Sequence, residues 1–86
     1  MHYVYDDVDD NAMVMISVYP NPTQDVIFVG ANDGLPIQQV EVFNVTGQKV
    51  ISSTETEINV SALESGMYFV RVTADDRIVI RSIVKQ

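Results

Sequence analysis

An all-β fold, a two-sheet Ig-like or Greek-key β-sandwich of about seven short antiparallel strands with one short helical turn, is what this sequence predicts. Three observations carry that expectation. Short runs alternate apolar and polar residues with period two and are rich in Val and Ile, as a pleated, half-buried surface favours. Clusters of Gly, Pro, Asn and Asp punctuate them at roughly ten-residue spacing. No segment holds a 3.6-residue period long enough for an ordinary helix.

The elements follow in order. Residues 1–12 mix acids with Tyr and Val without a sustained period, and read as an acidic linker or a weakly held leading strand. The repulsion among Asp6, Asp7, Asp9 and Asp10 extends them. The sandwich is expected over residues 13–86. Val14, Ile16 and Val18 share one face of its first strand, with Met13, Met15, Ser17 and Tyr19 on the other. In Val18-Tyr19-Pro20-Asn21-Pro22-Thr23 two prolines fix φ and remove backbone donors, so the strand ends there in a rigid corner.

A second strand alternates Val26 and Phe28 with Ile27 and Val29, and closes at Gly30 and the Asn32-Asp33-Gly34 turn. A third, over residues 37–43, points Val40 and Val42 inward. Asn44-Val45-Thr46-Gly47 has the Asn and Gly placement of a type I turn whose last residue takes positive φ. It leads into a strand over residues 48–53 with Val50 facing the core.

Ser61-Ala62-Leu63-Glu64 has capping-box spacing, but Gly66 arrives too soon for more than about one turn. A short 3₁₀ or α turn with Leu63 as a plug is expected. The last two strands, residues 67–73 and 77–85, are the longest. Tyr68, Val70 and Val72 share the core face of one, with Arg71 facing out; Ile78, Ile80 and Val84 share a face of the other. Ala74-Asp75-Asp76-Arg77 joins them.

Composition narrows the function classes. A chain of 86 residues supports one core, burying roughly 60–65% of its unfolded surface, and lacks the bulk for a deep catalytic cleft. It has no cysteine, hence no disulfide framework and no thiolate metal site. A formal net charge of −7 with five Lys and Arg argues against nonspecific nucleic-acid binding. No apolar run approaches the ~18 residues of a membrane-spanning helix, so no direct membrane insertion is expected. No basic, apolar leader opens the sequence, which is compatible with export where the domain sits at the far end of a longer precursor that carries the signal.

Catalysis finds no support. The one histidine, His2, lies in the least ordered segment by pattern, and adjacent acids such as Asp6/Asp7 and Asp75/Asp76 point apart on extended chain. No enzyme activity, cofactor or metal is expected; the four leading aspartates lack the glycine-punctuated loop that wraps calcium. Asn44-Val45-Thr46 and Asn59-Val60-Ser61 match the glycosylation triplet, a pattern frequent by chance. Phe43, Met67 and Phe69 fall opposite the core face. Should they cluster, they form a docking patch.

The joint order of Pro20, Asn21 and Pro22, then Thr46-Gly47-Gln48-Lys49-Val50, then Leu63-Glu64-Ser65-Gly66-Met67-Tyr68, then the ending Ile83-Val84-Lys85-Gln86 resembles the C-terminal sorting domain of proteins exported by the type IX (Por) secretion system of Bacteroidota, type A. The resemblance spans about Met15 to Gln86. It implies a β-sandwich acting as a non-catalytic sorting and anchoring signal for a larger secreted protein.

It further implies that the domain is folded in the periplasm, is recognised by an outer-membrane translocon and is removed at the cell surface by a sortase-like cysteine protease. Cleavage is expected upstream of the sandwich, in or before residues 2–13. Recognition carries over to Val84, Lys85 and Gln86, whose terminal strand is expected to offer unpaired backbone groups and a basic side chain to a partner. Pro20, Asn21, Pro22, Gly47, Leu63, Gly66 and Tyr68 are the structural motif. The rival readings are an Ig-like adhesion or carbohydrate-binding module, with Tyr19, Phe43 and Phe69 as its aromatics, and a structural spacer domain.

Overall fold

The computed structural model describes residues 3–4 (backbone only), 16–31, 36–75 and 77–86. His2, the acids Asp6, Asp7, Asp9 and Asp10, the strand positions Met13, Val14 and Met15, the Asn32-Asp33-Gly34 turn and Asp76 lie outside them.

Among the described residues eight strands form two sheets. They are β1 (Tyr3–Val4), β2 (Ile16–Tyr19), β3 (Val26–Ala31), β4 (Ile37–Phe43), β5 (Lys49–Ser53), β6 (Glu57–Asn59), β7 (Gly66–Ala74) and β8 (Arg77–Lys85). One sheet has the order β1-β8-β7-β4-β5 and the other β2-β3-β6. Strands β2 to β8 pair antiparallel, and only the two-residue β1 runs parallel, against Ile78 and Val79. The expected all-β sandwich is the observed architecture.

The core lies between the sheets. Ile16, Ile27, Val29 and Ile58 enter from the smaller sheet; Val40, Val42, Tyr68, Val70, Val72, Ala74, Val79 and Ile83 enter from the larger. Val60 joins them from the β6–β7 connection, and Leu63 packs against the rim. Inward phases expected for Val40, Val42, Tyr68, Val70 and Val72 are those found.

One phase differs from expectation, and a second is settled only by pairing. Val50 is 38% exposed, and Ile51 packs on the core in its place. Register explains it: Val42 pairs Ile51 but Phe43 pairs Lys49, so a bulge at Val50 shifts the alternation by one residue. On β8 the apolar trio Ile78, Ile80 and Val84 does share a face, but the outer one. Val72 pairs Val79 and Tyr68 pairs Ile83, so β7 draws the odd-numbered residues of β8 inward. Arg81 and Lys85 fall in that inward phase.

The segment after β6 forms no helix. Leu63 N–H donates to Val60 C=O at 3.0 Å, a single turn. Its cap is Asn59, not Ser61: Asn59 Oδ1 accepts the Ser61 N–H at 2.9 Å and its hydroxyl at 2.6 Å. An Asx turn thus satisfies the groups that a capping box would have served, and Gly66 ends the segment before a helix can propagate.

Candidate recognition site

The proline corner and the end of β8, 61 to 63 residues apart in sequence, are one structure. The Tyr19–Pro20 and Asn21–Pro22 peptide bonds are both cis. Pro22 has no N–H to give, and the side chain beside it supplies the missing ladder groups. Asn21 Nδ2 donates to Ser82 C=O at 3.2 Å, and Asn21 Oδ1 accepts the Val84 N–H at 2.9 Å. One carboxamide therefore stands in for a peptide unit beside β8.

The chain itself takes over at the next residue. Thr23 N–H donates to Val84 C=O at 2.9 Å, and Gln86 N–H donates to Thr23 C=O at 2.8 Å, a parallel bridge between Thr23 and Lys85. Thr23 is buried, and its hydroxyl donates to Val26 C=O at 2.8 Å, tying the corner to β3. Four hydrogen bonds from residues 21–23 thus line the outer edge of β8 from Ser82 to Gln86.

These bonds correct the picture of an open terminal strand. The backbone groups of Val84 and the Gln86 N–H are already taken within the chain. Lys85 is only 7% exposed, with Nζ donating to Gln86 C=O at 3.2 Å, because its odd position points it inward. Val84 projects outward and is 42% exposed. Arg81, also in the inward phase, reaches across the sandwich and donates from Nε to Ile16 C=O at 3.1 Å. Arg81 and Lys85 thus both make hydrogen bonds within the chain.

The other motif residues have turn and packing roles. Gly47 sits at φ +89° and donates its N–H to Asn44 C=O at 2.9 Å. Asn44 Oδ1 also accepts from the Thr46 N–H and hydroxyl and the Gln48 N–H, which closes the turn. Gly66 sits at φ +145°, a conformation that L side chains rarely adopt. Two residues on, the buried Tyr68 ring lies in the core while its hydroxyl donates to Glu64 C=O at 2.7 Å, pinning the loop that Leu63 plugs. Pro20 and Pro22 are exposed at the corner.

On the outer face of the larger sheet, Phe43 pairs Phe69, and Met67 pairs Val84. With Met67 and Phe69 on alternate positions of β7, the four side chains are neighbours on one surface. Beside them Glu41 is covered by Arg71 and Lys49, and the Arg71 hydrogen bonds hold its carboxyl below the ordinary range against the opposing effect of burial. The Arg71 guanidinium also lies 5.2 Å from the Phe43 ring centroid. Tyr19 and Phe28 stack on the opposite face of the sandwich, with centroids 5.8 Å apart. The aromatics of a carbohydrate platform are therefore split between two sides.

The sequence pointed to both the corner and the ending but not to their contact. An Asn between two prolines was the available signal, since its carboxamide offers a donor and an acceptor at a place where the backbone has lost two donors.

Fold and site together define a small β-sandwich module organised around its last strand. Residues 17–86 match the secretion system C-terminal sorting domain family, and the chain belongs to that family, the sorting domains of type IX secretion. Over 74 residues, 80% of this chain, it is 34% identical to an ulvan lyase of Nonlabens ulvanivorans. The chain spans only 14% of that relative's length. The domain is a sorting signal, and the protein that bears it is destined for secretion or the cell surface.

Proposed function

We propose that this domain, residues 13–86 with 1–12 as a leading segment whose Tyr3–Val4 pairs with β8, passes folded through the periplasm as the non-catalytic end of a larger secreted protein and is read by the outer-membrane translocon at Val84, Lys85 and Gln86. The family match to residues 17–86 carries this reading, since it runs through both the corner and the strand end. The relative supports it: the matched part is a small fraction of a lyase, as expected for a sorting module carried by a larger protein. A sortase-like cysteine protease then cuts upstream of the sandwich, since a protease needs extended chain that a packed strand does not offer.

A reporter carrying a signal peptide and this chain at its end tests the reading in a type IX-competent bacterium. The reporter reaches the surface or the medium, and removal of residues 84–86 leaves it in the periplasm. Undiminished export by a truncated domain that is still folded, judged by circular dichroism, would overturn terminal recognition and favour a spacer role.

A further inference from the structure

We propose that Asn21 is the positioning residue of the sorting signal: it latches the end of β8 to the corner, and the secretion machinery reads residues 84–86 in that latched conformation and not as a loose peptide. This rests on the reading above that those residues are recognised.

The geometry carries it. A strand end held on one side alone frays, because its outer backbone groups exchange freely with water. Here the outer side is occupied by a carboxamide whose two polar atoms engage Ser82 C=O and Val84 N–H at once. The Thr23 backbone then brackets Val84 and Gln86. Latching fixes which side chain faces out: Val84 does, while Lys85, whose backbone bridges Thr23, is 7% exposed. A loose peptide has no such fixed alternation, so its partner would have to order it on binding, which lowers affinity. Asn21 itself is exposed and contributes nothing to the core. Its contacts are explained by the conformation they impose on β8.

The test uses the whole 86-residue chain, alone for hydrogen exchange and as a reporter fusion for export. Three amides report the latch directly: Thr23, Val84 and Gln86. In Asn21→Leu, which removes both side-chain bonds, these amides exchange at least about tenfold faster, while Val70 and Val72 in the central strand stay within about twofold of the parent. Export falls at least about fivefold. Asn21→Asp keeps an acceptor for Val84 N–H and loses the donor to Ser82 C=O, and it falls between parent and Asn21→Leu on both readouts.

Freed amides with parental export would overturn the proposal, because the machinery then reads a loose end. Unchanged amides in Asn21→Leu would overturn it as well, because the latch then does not depend on Asn21. If Asn21→Leu also exposes Val70 and Val72, the chain has unfolded and Asn21→Asp decides by the same criteria. Deletion of residues 84–86 separates the two readings. Export that survives the deletion sinks terminal recognition itself, whereas blocked export beside a fully exported Asn21→Leu variant sinks the latch alone.

Discussion

Arg71 donates two hydrogen bonds to a single oxygen of Glu41, from Nε at 2.9 Å and Nη2 at 2.8 Å, across the β4–β7 ladder. Lys49 takes the other oxygen at 3.2 Å. The acid is thus shared between its two neighbouring strands on the solvent side of the sheet. Its carboxyl lies below the ordinary value of 4.5, so the group stabilises the fold when ionised.

The sign follows directly. A depressed folded pKa contributes stability that is fully present above about pH 4.5 and is lost as pH falls through the folded value. Glu41→Gln should lower stability by about 1 kcal/mol at pH 7, a figure kept small because both cations are partly solvated. Its deficit should shrink as pH drops below about 4.5. Urea unfolding of parent and variant at pH 7 and pH 3 checks this, and a deficit of equal size at both would contradict it. Arg71→Ala should cost a similar amount, about 1 kcal/mol, although the residue faces out, because it removes the Glu41 partner and the Phe43 contact together.

Gly47 meets no atom within 4 Å of an added Cβ, so only its backbone conformation resists substitution. Gly47→Ala and Gly47→Val should each destabilise by roughly 1 kcal/mol, the β-branched residue by more. Thermal melts that overlay the parent would show that the φ of +89° is not required.

The phase of β8 is open to a paired test. Val79→Ala, in the core, should cost roughly 1–3 kcal/mol, whereas Ile80→Ala on the outer face should cost about 0.5 kcal/mol. Val42→Ala against Val50→Ala makes the same comparison across the bulge. Equal losses within either pair would contradict this assignment, and a reversed order would place the strand in the opposite phase.

Tyr68→Phe keeps the ring in the core and removes the hydroxyl that reaches Glu64 C=O. A loss of about 1 kcal/mol is expected. Exchange should quicken at the Leu63 amide, which closes the same loop. No change in that amide would mean the hydroxyl does not hold the turn.

Most of the fold was legible because period-two alternation in β4 and β7 is unambiguous: Val40, Val42, Tyr68, Val70 and Val72 have polar or clearly outward neighbours. For β8 the pattern shows that Ile78, Ile80 and Val84 share a face but not which face is inner, because the outer face carries more apolar residues than the inner one with Val79 and Ile83. Only pairing with β7 decides, and pairing is a property of two strands, which a single run of residues does not contain. The same holds for Val50, displaced by a bulge whose register depends on the turn before it. At the site, the proline corner and the strand end were each visible from local chemistry. Their union through Asn21 spans more than sixty residues and follows from topology.

The corner also bears on solubility. β8 is among the two longest strands, and its outer face carries Ile80 and Val84, so a bare flank there would invite strands from other copies and seed aggregation. Residues 21–23 fill the flank beside Ser82 to Gln86 from within the same molecule, so each copy acts as its own blocking strand over that stretch.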